Sequence, residues 1–164
     1  MAKSSDRAEA PAARPIAANR KAFHHYEVLQ KLECGLVLAG TEVKSLREGS
    51  VSFVDSFATV KDGELLLLGL HIAEYRMGNR FNHPPARTRK LLAKKSEIRR
   101  LKAMIEQRGL TLVPLGMHWR RGFAKVELGV VRGKKLHDKR DAIREREGRR
   151  EQSRAIREFA KGGR

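Results

Sequence analysis

The chain has 164 residues, enough for one domain with tails, and carries 36 Lys/Arg against 19 Asp/Glu, a formal net charge of +17 and a pI of about 10.8. That balance is too basic for an ordinary cytosolic enzyme and points to nucleic acid or an anionic membrane surface. The membrane is the weaker option, because no apolar run approaches about 18 residues and no basic amphipathic helix carries a Trp/Phe/Leu face. The N-terminus has no apolar stretch that suggests secretion. The single cysteine, Cys34, rules out an intrachain disulfide, fits a reducing compartment and reads as a small packed residue.

Residues 1–18 mix Ala, Pro, Ser and charge and read as a disordered leader, with order expected near Asn19–Arg20–Lys21. Tyr26–Leu32 reads as a strand, Glu33–Cys34–Gly35 as a tight turn and Leu36–Ala39 as the returning strand. Thr41 is the expected N-cap of a short helix with Val43 and Leu46 at i,i+3 and Gly49 as its stop. Phe53–Lys61 and Glu64–Leu70 flank Asp62–Gly63, a pair suited to a type I′ turn, and predict a hairpin. The continuous run Leu65–Leu68 predicts a well-buried strand. Residues 73–86 form a loop long enough to be functional, after which Arg87–Lys90 leads Leu91–Leu92 back into the core. Ser96 is the expected cap of a helix over Glu97–Arg108, with Ile98, Leu101 and Ile105 on one face, Met104 at its edge and Gly109 closing it. Leu110–Trp119 and Phe123–Val131 pair around Arg120–Arg121–Gly122, with Pro114 marking an edge or bulge. Roughly six or seven short strands with packed helices predict a mainly β fold, most economically a small antiparallel OB-like barrel.

From Arg132 to Arg164 there are 13 Lys/Arg against 6 Asp/Glu and almost no apolar residues. Wound as a helix, Lys139, Arg146, Arg150, Arg154, Arg157 and Lys161 fall within about 80° of one another. Ile143, Ala155, Ile156 and Phe159 scatter around the cylinder. Such a helix offers a row of cations to a polyanion and no face to its own chain.

No pair among His24, His25, His71, His83, His118 and His137 has metal-ligand spacing, and no HExxH, GxSxG or Walker pattern occurs. No metal, cofactor or catalytic residue is expected. Basic clusters at Asn19–Lys21, Arg87–Lys90, Lys94–Lys95, Arg99–Arg100 and Lys134–Lys135 jointly suggest a phosphate-binding face. Phe23, His24 and Tyr26 are candidates for base stacking. Glu33 is either a solvent-exposed turn acid or an acceptor for a base edge.

Several strings then coincide with a known family: Asn19-Arg-Lys-Ala22, Glu33-x-Gly-Leu36, Gly40-Thr-Glu-Val-Lys-Ser-Leu-Arg47, Arg87-Thr-Arg-Lys-Leu-Leu92, Gly133-Lys-Lys-Leu-His-Asp-Lys-Arg140 and Ile-Arg-Glu-Arg at 143–146. In this order, over about residues 19–150, the chain resembles the bacterial SsrA-binding proteins, partners of transfer-messenger RNA (tmRNA). The resemblance implies a non-enzymatic, cytoplasmic protein, expected to be a monomer. An OB-like barrel over 19–132 would bind the tRNA-like domain of tmRNA and deliver it to stalled ribosomes for trans-translation. The tail over 133–164 would be disordered when free and helical along the empty mRNA channel. It further implies tmRNA contacts for Asn19, Glu33, Lys90 and Leu91, a decoding-centre role for His137, and a tagging role for Asp138, Lys139 and Arg140. Arg20, Lys21, His24, Arg89, Lys134 and Lys135 complete the expected RNA-binding set, and Arg146, Arg150 and Arg154 the channel-binding one. His25 stands where the family often has an acid and is given no role. The competing readings are a basic ribosomal or ribosome-assembly protein, and an RNA-processing enzyme, for which no carboxylate cluster speaks.

Overall fold

The structure, a computed structural model, describes residues 13–162, with the side chains at 136–139, 142 and 159–162 outside that description. In chain order its elements are β1 (Arg14–Ala18), α1 (Arg20–His25), β2 (Tyr26–Leu36), α2 (Gly40–Arg47), β3 (Val51–Ser52), β4 (Phe57–Lys61), β5 (Glu64–Leu68) and β6 (His71–Ile72). A 3₁₀ turn (Asn79–Phe81), β7 (Arg89–Leu92), α3 (Lys95–Arg108), β8 (Thr111–Arg120), β9 (Phe123–Gly133) and α4 (Leu136–Gly162) follow.

The ring closes because β8 is shared. The order β8-β4-β5-β7-β2-β9 returns to β8, and every pairing in it is antiparallel. β4 meets β8 at Ala58 opposite Leu112, and β1 then takes the same edge from Gly116 to Trp119. β3 and β6 form a separate two-stranded ribbon. Alternate side chains fill the barrel, among them Leu65, Leu67, Leu91, Leu112, Val126, Leu128 and Val130, all essentially inaccessible. Ile98, Leu101, Met104 and Ile105 set α3 against that core. A smaller cluster of Ala22, Val113, Leu115 and Val131, with Tyr26 and Val28 beside it, seats α1 on another part of the barrel. This is the expected small OB-like barrel with packed helices.

Both predicted hairpins have two-residue turns with positive φ, at Asp62 (51°) and Gly63 (74°) and at Arg121 (51°) and Gly122 (78°). Pro114 sits at a register shift in β8, the kind of position at which a strand tolerates proline. Gly109 closes α3 with φ 60°. Within Leu65–Leu68 burial alternates: Leu65 and Leu67 are fully buried, Leu66 and Leu68 only partly.

Four expectations are corrected. The leader boundary moves: Arg14–Ala18 is a strand hydrogen-bonded to β8, while the leader reading for residues 1–12 lies outside the described residues. Glu33–Cys34–Gly35 is not a turn, because β2 runs unbroken from Tyr26 to Leu36. Gly35 serves a close approach instead: a Cβ there would lie 3.2 Å from Leu92 Cβ on β7. Thr41 does not cap α2, since the cap is Ala39, whose N–H donates to Glu42 Oε2 at 2.9 Å. Lys94 rather than Ser96 caps α3, its N–H donating to Glu97 Oε2 at 2.8 Å. In both helices a carboxylate three residues on satisfies an orphan donor at the N-terminus.

Glu42 is 5% exposed and does more than start its helix. Arg89, with no exposed surface, donates to Glu42 Oε1 through Nε (2.9 Å) and Nη2 (2.7 Å). Arg87 donates to the same carboxylate through Nε (2.8 Å) and Nη2 (2.6 Å). Arg89 also donates to the carbonyls of Leu70, Arg87 and Pro85. Burial pushes the Glu42 carboxyl up, but hydrogen bonds from Arg87, the Ala39 N–H and Arg89, with the Arg89 charge, outweigh it and hold the pKa at about 2. The folded value lies below the ordinary 4.5, so the stabilisation is complete above pH 4.5 and lost as pH falls toward 2. Glu42→Gln leaves Arg89 buried without its counter-charge and should cost about 3–5 kcal/mol in urea unfolding at pH 7. The difference between the two proteins should shrink steadily in titrations below pH 4.5.

Candidate nucleic-acid interface

One end of the barrel gathers the first expected cluster. Asn19 caps α1: its Oδ1 accepts from Ala22 N at 3.2 Å. Its Nδ2 donates to Pro114 O at 2.9 Å and its own N–H donates to Leu115 O at 2.8 Å, tying α1 to the β8 bulge. One amide hydrogen and one lone pair of Asn19 are left beyond these bonds. Arg20 and Lys21 are exposed on α1, His24 is half-buried and His25 exposed, with the two imidazoles edge to face at 5.2 Å. Lys134 donates through Nζ to Phe23 O at 3.0 Å and through its backbone N–H to His25 O at 3.1 Å. Lys135 is exposed just before α4. The structure thus brings Asn19, Arg20, Lys21, His24 and Lys134 together at the root of the basic tail.

From there a polar face runs along β2, β9 and β8. Lys31 lies 5.6 Å from the Phe23 ring centroid and 3.2 Å from Glu127. Glu33, directly opposite Glu127 in the ladder, lies 2.9 Å from His118 Nε2 and accepts from Arg120 Nη1 at 3.0 and 3.2 Å. Slight burial raises the Glu33 pKa, but the bonds and charges of His118 and Arg120 outweigh it and lower the value overall. Glu33 is therefore an ionised, pre-oriented acceptor on a strand. Sequence reasoning missed Lys31, His118 and Arg120, because strand pairing across long separations brings them to the glutamate.

β7 divides the second expected cluster by strand alternation. Lys90 is exposed and paired with Glu64 at 2.5 Å. Arg89 and Leu91 point into the barrel and are inaccessible, so as direct RNA contacts they are corrected to framework residues. The signal was present: positions 89 and 91 share a face, and a buried arginine needs a carboxylate, which the GTEVKSLR string supplies at Glu42. Cys34 is also interior, and burial followed by the Glu97 charge pushes its thiol up to about 11.

His137, Asp138 and Lys139 lie in the first turns of α4, with their side chains outside the described residues. From Arg140 to Glu158 the described residues are exposed, Gly148 being half-buried, and Arg146, Arg150 and Arg154 share one side with Arg149 and Arg157. Ile143 and Ile156 remain exposed, so among its described residues α4 has no apolar stripe to dock. Among the described residues no helix is long and apolar enough to cross a membrane.

A closed β-barrel whose basic residues on α1 and at Lys134 and Lys135 adjoin a cationic helix defines a small nucleic-acid-binding protein. The family model described as SmpB protein matches residues 16–158, and the chain belongs to that family. It is similar to the SsrA-binding protein of Desulfitobacterium hafniense (strain DSM 10664 / DCB-2), 52% identical over 147 residues that cover 90% of this chain and 94% of the relative. The SsrA-binding protein of Treponema denticola is 54% identical over 141 residues, 86% of this chain and 92% of its own. A solved structure described as "tmRNA-SmpB: a journey to the center of the bacterial ribosome" matches with a TM-score of 0.65 and 52% identity, covering 79% of this chain and 95% of that one.

Burial predicts opposite outcomes for exposed and sealed cations. Arg20→Ala and Lys21→Ala should weaken RNA binding and each lower the log–log salt slope by about one in gel shifts across salt. Arg89→Ala should instead lower the melting temperature, because Glu42 would keep only the partly exposed Arg87 as a counter-charge inside the fold.

Proposed function

We propose that the chain binds the tRNA-like domain of tmRNA through its barrel and delivers it to stalled ribosomes for trans-translation, where the nascent peptide is tagged for degradation. The observation that carries this is the arrangement of two cationic surfaces. A shaped, ion-paired face on the barrel adjoins a helix of 27 residues, about 40 Å long, with no apolar face among its described residues. Family membership gives the RNA its identity. On the barrel, Asn19, Arg20, Lys21, His24, Glu33, Lys90, Lys134 and Lys135 form the recognition surface. Arg89 and Leu91 hold it in place.

The tail has the separate task of sensing an empty mRNA channel. Arg146, Arg150 and Arg154 repel one another at i,i+4, and an isolated helix is marginal in water. Channel phosphates relieve that repulsion, so helix formation and binding reinforce each other, and a channel filled with mRNA leaves no room for either. His137, Asp138, Lys139 and Arg140, at the start of α4, are assigned to the decoding centre. Nothing in this scheme requires the protein to make or break a bond, and its place of work is the cytoplasm, with the ribosomes.

Competition among the tRNA-like domain, ordinary tRNA and an rRNA hairpin tests the barrel. Selectivity for the tRNA-like domain should survive high salt, whereas uniform loss of all three would leave only a polycation. Glu33→Ala should weaken that complex by about 1–3 kcal/mol. Charge reversal to Glu at Arg146, Arg150 and Arg154 together should abolish peptide tagging and leave the affinity for tmRNA nearly intact. Equal losses in both would end the division of labour between barrel and tail.

A further inference from the structure

The loop 73–86 has a built interior and an exposed apolar rim. Asn82 cross-links it: Oδ1 accepts from Tyr75 N at 3.0 Å and Nδ2 donates to Tyr75 O at 2.9 Å. Gly78 N donates to Tyr75 O and Phe81 N to Gly78 O, both at 2.9 Å, giving two consecutive turns. Thr41 Oγ1 on α2 donates to Phe81 O at 3.3 Å, and Pro85 O accepts from Ile72 N and from buried Arg89. So much internal bonding orders the loop and fixes where its side chains stand. Yet Met77 is 81% and Phe81 66% exposed. Ordering a segment in order to hold apolar groups in water has no folding benefit, which points to recognition.

The surroundings of the aromatic rings select the partner. Lys44 Nζ lies 5.3 Å from the Tyr75 ring centroid, and the Arg80 guanidinium carbon lies 5.1 Å from that of Phe81. Thr41, Lys44, Tyr75, Met77, Phe81 and His83 line one shallow concavity of about 400 Å³ between α2 and the loop. Arg76 and Arg80 add two cations to the loop against one acid, Glu74. An aromatic ring with a guanidinium over one face, and further cations on the same loop and on α2, suits a flat π-system attached to phosphate.

We propose that the loop is a base-stacking site: Phe81 takes one unpaired RNA nucleobase, and Lys44, Arg76 and Arg80 hold its flanking phosphates. This rests on the reading of the chain as an RNA binder, and it is independent of which RNA the barrel selects.

The test uses the full-length protein, with short oligoadenylate and the same oligonucleotide carrying abasic sites as probes. In Phe81→Trp the introduced indole should be quenched by oligoadenylate and not by the abasic strand, after subtraction of the native Trp119 signal from the parent protein. Phe81→Ala should bind oligoadenylate about fivefold or more weakly, in line with the loss of one stacked base, with an unchanged melting temperature. Equal quenching by both probes, no quenching, or unchanged affinity of the alanine variant would overturn the proposal. If no RNA response is seen but Phe81→Ala impairs tagging, the patch docks a protein and the stacking site is refuted. Quenching that persists while selectivity for the tRNA-like domain fails would refute the tmRNA assignment and leave this site standing. The converse result would refute this site alone.

Discussion

One buried carboxylate sets the order of the molecule. Glu42 accepts from two guanidiniums and from the N-cap of its own helix, and Arg89 passes the connection on to the carbonyls of Leu70, just before β6, and Pro85, near the end of the loop 73–86. A charge at that depth is tolerable only when its partners are complete. α2, β7 and the long loop therefore form together or not at all. In a chain of net charge +17, one acid holds two cations in the framework, and the remaining cations can serve the surface.

Burial decides which role each cation plays. Arg89 and Lys90 are adjacent in sequence, yet one is sealed inside the barrel and the other stands in solvent beside Glu64. Along β2, β9 and β8 the acids Glu33 and Glu127 are held by Lys31, His118 and Arg120, giving the outer wall a patterned rather than uniformly positive surface. Patterned charge discriminates among partners, whereas uniform charge confers only affinity. α4 is the opposite case, a row of arginines that suits any phosphate-lined groove of sufficient length. Lys134 joins the two by fastening the tail root to α1.

The parts legible in the sequence are those where local chemistry has one solution. Asp62–Gly63 allowed little but a tight hairpin, Pro114 marked a bulge, and the apolar spacing of α3 named its own face. Misreadings arose where a residue type serves two ends. Gly35 reads locally as a turn because glycine permits one, but it is there to admit Leu92. Arg14–Ala18 has the composition of a leader, and its order comes from an open edge of β8 about a hundred residues on, which no local window contains. Arg89 looked like a phosphate ligand because its counter-ion lies 47 positions away. The strand alternation that buries it beside Leu91 was readable and was outweighed by the basic cluster around it.

We propose that the barrel carries its own order through the Glu42 centre, while the tail helix is held in place only on the ribosome. Amide hydrogen exchange on the full-length protein, free and bound to stalled ribosomes with tmRNA, tests this directly. Amides of α2, β7 and the barrel ladder should exchange slowly in both states. Those of 140–158 should exchange rapidly in the free protein and become protected on the ribosome. Strong protection of the tail in the free protein, or none after binding, would contradict the account.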